Sequence, residues 1–182
     1  MNRLLRSRNS VGFTLIELLI VVAIVGIIAS ILIPNLLDSL QKAKQRRTVN
    51  DVRSVGTAWF SWVTDQLSAA AAGSSAQELD FTVLDESLSD EELSGMLRRG
   101  GMNYIVAVPD KDGWGGTYEY RWAGDPALVP TFGLRSLGKD KAEGPTMNPY
   151  PLGPFNTSNY DEDIVWVDGN FIRFPAGAAI VD

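Results

Sequence analysis

The 182-residue chain has no cysteine and no histidine. That removes disulfide frameworks, thiol nucleophiles, thiolate or imidazole metal sites and every catalytic scheme built on imidazole. Carboxylates, serines, lysines and tyrosines are left, with no catalytic spacing among them, so the chain reads as a non-enzyme. Positive charge is scarce in the bulk: residues 67–182 hold 8 Lys and Arg against 18 Asp and Glu, while residues 1–12 hold Arg3, Arg6 and Arg8 and no acid. An acidic bulk repels phosphate backbones, which excludes nucleic acid as the main partner. Proline is nearly absent from the first half, since eight of the nine lie beyond residue 108. What is present is 45% apolar and 21% charged, enough for one ordinary domain plus something extra and unlike a collagenous or disordered chain.

The extra part comes first. Residues 13–33 are apolar or small apart from Thr14, Glu17 and Ser30. As a helix this run covers roughly 30 Å, one hydrocarbon core. A secretory signal peptide would be shorter and would end in a small-x-small cleavage site, which Ala29-Ser30-Ile31 fits poorly. A simple anchor leaves Glu17 unexplained, because an ionised carboxylate in lipid costs several kcal/mol unless paired. Glu17 is therefore expected to lack satisfaction in a lone helix and to need a cation. Arg3, Arg6 and Arg8 on one side and Lys42, Lys44, Arg46 and Arg47 on the other nearly balance the positive-inside count. The three arginines lie nearest the run and favour a cytoplasmic N-terminus with the acidic part exported.

Gly12-Phe13-Thr14-Leu15-Ile16-Glu17-Leu18-Leu19-Ile20-Val21-Val22 resembles the processing site of type IV pilins and type II secretion pseudopilins. The resemblance implies cleavage after Gly12 by a prepilin peptidase, N-methylation of Phe13, and Glu17 as the assembly glutamate five residues into the mature chain. Cleavage would place an ammonium group on Phe13 in an apolar setting, where Glu17 of a neighbouring subunit neutralises it. Gly26, Ala29 and Ser30 would allow helices to approach closely.

Past this run, Pro34 predicts a kink or local melting. Leu36, Leu37, Leu40, Ala43, Val49, Val52, Val55, Trp59, Val63 and Leu67 then recur mostly at three- or four-residue intervals, interrupted by Arg46 and Arg47. One helix over about 13–67 is expected, its outer half packed on a head through Trp59, Phe60 and Trp62. Residues 68–77 are small and read as a helix end and linker. Ser89 and Glu92 form a capping-box pattern for a short helix, with Leu88 and Leu93 as a staple and Arg98, Arg99, Gly100 and Gly101 at its end. Strands are predicted at 104–108, 117–122, 131–137, 164–167 and 171–174. The last two flank Asp168-Gly169, a hairpin signal. The fold class is α+β: a long N-terminal helix, transmembrane then amphipathic, packed on a small antiparallel β-sheet head. The division is 1–12 leader, 13–34 membrane or filament core, 35–67 amphipathic continuation and 68–182 head.

Two stretches of the head are similar to the major pseudopilins of type II secretion. Pro109-Asp110-Lys111-Asp112-Gly113-Trp114-Gly115-Gly116-Thr117-Tyr118 is similar to that branch's Pro-x-Asp-x-Trp-Gly-x-x-Tyr, with an extra Asp-Gly. Ser136-Leu137-Gly138-Lys139-Asp140, with Asp161-Glu162-Asp163-Ile164, is similar to its Ser-Leu-Gly-x-Asp and Asp-Asp-Ile. The resemblance implies a calcium loop whose matching positions are Asp140 and Asp163, with Asp161 and the Leu137 carbonyl as further ligands. Calcium takes six to eight oxygens, so the donor types suit it. A Pro/Gly-rich insertion over 142–160 separates the two halves of that loop. Asp110 to Gly113 also opens like an EF-hand, but no glutamate stands at the twelfth position.

The function implied is a subunit of a pseudopilus in type II protein secretion. It would be a single-pass inner-membrane protein with a periplasmic head, working with itself, with minor pseudopilins, with an inner-membrane assembly platform and with prepilin peptidase. A type IV pilin is the alternative, disfavoured because such pilins commonly close their C-terminal region with a disulfide. A membrane-tethered binding module is the third reading, and it predicts that Glu17 is dispensable.

Overall fold

The computed structural model describes residues 12–71, 87–98, 103–123, 131–143 and 151–177. Most of the leader, the linker from residue 72, Arg99, Gly100 and Gly101, and residues 144–150 of the insertion lie outside the described residues. The chain divides into two compact units, Met1–Ser39 and Leu40–Asp182.

One α-helix, α1, runs Leu15–Ala71 with Pro34 inside it. The expected melting does not occur: a proline mid-helix forfeits one amide bond, and α1 continues past it. In the first unit every leucine, isoleucine, valine and phenylalanine over residues 13–39 is exposed, from Leu15 at 81% to Ile20 and Val21 at 51%. An all-round apolar helix is stable only where its surroundings are apolar too.

In the second unit the helix is one-sided. Gln45, Thr48, Val49, Val52, Val55, Ala58, Trp59 and Trp62 are buried, at intervals of mostly three or four. The stripe predicted from sequence began too early. Leu36, Leu37, Leu40 and Ala43 are exposed, and Gln45 and Thr48 occupy the first buried turns. Arg46 and Arg47 do not interrupt the stripe; they lie off it, in solvent.

The head carries β1 (Ser87–Leu88), α2 (Asp90–Leu97), β2 (Glu119–Ala123), β3 (Thr131–Ser136), β4 (Gly153–Phe155), β5 (Ile164–Val167) and β6 (Asn170–Pro175). They form one sheet in the order β1-β2-β3-β5-β6-β4. All pairs are antiparallel except β4 with β6, which is parallel, so the sheet is mixed rather than antiparallel. Residues 104–108 are not a strand. Their backbone instead follows α2, with the Tyr104 N–H donating to the Leu97 carbonyl at 3.1 Å, and Tyr104, Ile105 and Val108 still pack against the core. The β5–β6 turn is as the dipeptide predicts, with Asp168 at φ 44° and Gly169 at φ 94°. α2 starts as predicted: the Ser89 hydroxyl accepts from the Glu92 N–H, and Glu92 accepts from the Ser89 N–H at 2.9 Å.

The core lies between α1 and the sheet. Trp59 stacks on Phe132 with centroids 4.3 Å apart, Trp62 is 5.1 Å from Trp59, and Tyr120, Leu134, Ile164 and Trp166 close around them. Phe60 is the outlier of the aromatic trio, 41% exposed and edge-on to Trp166. The Asp112 loop fastens the head to α1. Asp112 is 2% exposed, and its carboxylate accepts from the N–H groups of Trp114 and Gly116 and from the Ser136 hydroxyl. With that carboxylate committed, no EF-hand opening is available. The loop so held donates from the Gly113 N–H to Thr48 Oγ1 at 2.9 Å and from Trp114 Nε1 to Gln41 Oε1 at 2.7 Å. A Cβ at Gly113 would lie 2.3 Å from the Lys44 carbonyl oxygen, so only glycine lets the loop approach the helix.

Candidate functional site

Gly12, Phe13 and Thr14 precede α1 in non-helical conformation. Nothing lies within 4 Å of where a Gly12 Cβ would be, so the fold itself has no need of glycine there. Thr14 caps the helix. Its hydroxyl accepts from the Glu17 N–H at 3.3 Å, while Glu17 Oε2 accepts from the Thr14 N–H at 2.9 Å and from the Thr14 hydroxyl at 2.6 Å. The Thr-x-x-Glu spacing of a capping box is the local signal for this arrangement, and it is masked in the sequence by the lipid cost of the carboxylate. Glu17 is thus not an unsatisfied acid in the single chain, as the sequence suggested. Both bonds use Oε2, and among the described residues Oε1 accepts none. Any helix start leaves several orphan N–H groups, and this one is partly satisfied by Thr14 and Glu17. From its start α1 is long and apolar enough to cross a membrane.

The second candidate lies at the end of β3. Leu137 is half-buried, and Gly138 adopts φ 69° with its Cβ position 2.9 Å from the carbonyl oxygens of both Tyr160 and Glu162. The Lys139 N–H donates to the Tyr160 carbonyl at 2.8 Å, so the two halves of the predicted loop do meet despite the insertion between them. Asp163 is 2% exposed at this junction. Asp140 is exposed and accepts from the Ala142 N–H at 3.1 Å, and Asp161 is exposed. Glu162 is held by Arg173 at 2.8 Å. Among the described residues no three acidic side chains converge as a metal site. The donor chemistry is all oxygen, which suits calcium, and the backbone brings the two segments together at Gly138.

The segment read as a processing site matches a family model described as the prokaryotic N-terminal methylation motif, over residues 8–33. The chain is 33% identical over 139 residues to the type II secretion system core protein G of Vibrio cholerae, covering 76% of this chain and 89% of that protein. The protein of the same name in Aeromonas hydrophila is 31% identical over 140 residues, covering 77% and 90%. The type IV wide pilus major component of Thermus thermophilus is 33% identical over 114 residues, covering 57% of this chain and 86% of that protein. No solved structure matches the chain.

Proposed function

The chain belongs to the type II secretion core protein G family, and from that premise we propose that it is inserted in the inner membrane with its head in the periplasm, cut between Gly12 and Phe13, and polymerised into a secretion filament. The observation that carries this reading is the arrangement at the start of α1. Cleavage after Gly12 creates an ammonium group one residue before the Thr14 cap. Glu17 Oε2 keeps the helix start closed while Oε1 is left to accept the ammonium of Phe13 from a neighbouring copy. In a core of packed apolar helices that pair is strongly coupled, because removing one partner leaves a charge in low dielectric. The open space around Gly12 supports a role in fitting a peptidase rather than in folding. The exposed apolar side chains of residues 13–40 are solvated by lipid before assembly and by other copies after it. Prepilin peptidase, minor pseudopilins and an inner-membrane assembly platform are the partners this cycle requires.

The test is the intact mass of the full chain made with and without prepilin peptidase. Loss of residues 1–12 and gain of a methyl group is expected only with the enzyme, and an unchanged leader in both refutes the reading. Glu17→Leu is expected to abolish filaments while leaving the thermal midpoint of the full chain in detergent where it was. A tethered binding module would tolerate the same change.

Calcium is the second part of the proposal, with Asp140 and Asp163 as side-chain ligands, Asp161 beside them and the Leu137 carbonyl completing the set. The meeting of the two loop segments at Gly138 supports it. Bound calcium would tie residues 137–140 to 161–163 and stiffen the end of β3. A site saturated a hundredfold above its Kd adds about 2.7 kcal/mol to stability. Chelation should therefore lower the thermal midpoint of the full chain in detergent, and Asp163→Asn should remove that response. A midpoint indifferent to calcium takes the metal out of the account.

A further inference from the structure

Two loops of the head share one side chain. Ser136 is the last residue of β3 and the first of Ser136-Leu137-Gly138-Lys139-Asp140. It is fully buried, and its partner across the β3–β5 ladder is Ile164, the residue that follows Asp161, Glu162 and Asp163. Ser136 thus stands where the two segments of that loop come together. Its hydroxyl donates to Asp112 Oδ2 at 2.7 Å and accepts from the Gly138 N–H at 3.3 Å, so it joins the loop that begins at 137 to the Asp112 loop. A second tie runs in solvent, where Lys141 Nζ donates to the Gly115 carbonyl at 3.4 Å. Lys141 takes φ 57°, which a residue with a side chain keeps only where its surroundings hold it.

From Asp112 the connection continues to α1. Asp112 Oδ1 accepts from the N–H groups of Trp114 and Gly116 at 2.9 and 2.7 Å. These bonds give the loop the shape in which Gly113 donates to Thr48 and Trp114 Nε1 donates to Gln41. A buried carboxylate that loses a donor is costly to keep in place, and the open route is for its loop to turn toward water. Such a turn breaks the Gly113 and Trp114 contacts with α1 together, because one carboxylate organises both. Hydrogen bonds in series polarise one another, and coupling between distant groups travels along contiguous chains of this kind when the element at the end has two arrangements. Here the two arrangements are a loop closed on α1 and a loop opened to water.

We propose that Ser136 is a positioning residue through which the loop at 137–141 sets the head's grip on α1 at Gln41 and Thr48, so that a calcium ion held in that loop tightens the grip. Calcium's part in this rests on the reading above, and Ser136's part does not. The test is hydrogen exchange at the Gly113 N–H and the Trp114 indole N–H of the full chain in detergent. Without calcium, Ser136→Ala should speed exchange at both by about tenfold or more, the scale of losing a hydrogen bond to a charged group, and leave α2 as it was. Unchanged exchange at the two sites, or the same acceleration over α2, overturns the relay. In the wild type, calcium should slow exchange at 137–140, Gly113 and Trp114 together; in Ser136→Ala it should slow 137–140 alone. Slowing confined to 137–140 in the wild type overturns the coupling and leaves the calcium reading standing. No slowing anywhere removes calcium, and Ser136→Ala measured without it then decides the relay. Coupling between two sites is reciprocal, which gives a variant that serves even where Ser136→Ala fails to fold. Gln41 is half-buried and outside the ligand set, yet Gln41→Met should speed exchange at the Gly138 N–H by about fivefold or more and weaken calcium binding by the same factor. Exchange at Gly138 that is indifferent to Gln41→Met overturns the proposal.

Discussion

The two parts of α1 have the same secondary structure and opposite relations to their surroundings. Up to Ser39 the helix is apolar on every side and buries nothing within the chain; beyond Leu40 it is polar outside and seals a core with Trp59, Val52 and Val55 inside. Each large apolar side chain removed from water contributes about 1.5–3 kcal/mol. In the outer part that gain is collected when the head folds. In the first part it is collected only in a membrane or among other copies, which makes the first part the polymerising element and the second a self-sufficient scaffold. The buried polar residues Gln45 and Thr48 mark where one regime gives way to the other.

Four substitutions press on this contrast. Trp59 is 2% exposed and stacked on Phe132, so Trp59→Ala should cost about 3–5 kcal/mol, read as a large fall in the thermal midpoint of the full chain in detergent. Ile24→Ala should leave that midpoint unmoved and reduce filament yield only. Equal shifts from the two would erase the distinction between the parts. The glycines give a second contrast. A Cβ at Gly56 would stand 2.4 Å from the Trp166 ring, so Gly56→Ala should destabilise the head by about 1–3 kcal/mol. Gly26 has nothing within 4 Å, so Gly26→Ala should be neutral or slightly stabilising by calorimetry, because alanine is the better helix former by about 1 kcal/mol.

The smallest effect sharpens the view of the head alone. Ser89→Ala removes the α2 cap and should cost about 1 kcal/mol in chemical denaturation. Hydrogen bonds from the Ser89 backbone, then from its side chain, hold the Glu92 carboxyl below its ordinary 4.5. A lowered acid stabilises the native state above its unfolded value and loses that contribution as pH falls through the native one. The gap between wild type and Ser89→Ala should therefore be full at neutral pH and narrow in acid below about 4.5; a gap that widens there would assign the cap to something other than Glu92.

Much of the head was legible where a short-range rule decides. Ser89 with Glu92, the Asp168-Gly169 turn and the bounds of β5 depend on residues within a few positions of one another, and all three stand as read. Residues 104–108 misled because Tyr, Ile and Val favour a pleated surface, yet here they find burial beside α2 without a ladder partner. β4, Gly153-Pro154-Phe155, carries loop chemistry and becomes a strand only because β6 lies alongside in parallel. Thr14 escaped because its local pattern is overshadowed by the energetics of Glu17.

Taken alone, the sequence determined the apolar run, the Gly12-Phe13 pair with Glu17 at the fifth position after the glycine, and the mostly amphipathic period beyond, because these are properties of adjacent residues and of helical geometry. Only the tertiary structure decided where burial begins on α1, that Asp112 fastens the head to the helix, and that the sheet is mixed. Those depend on which distant segments meet, and in this chain the meeting is settled by the packing of Trp59, Phe132 and Trp166 around a single core.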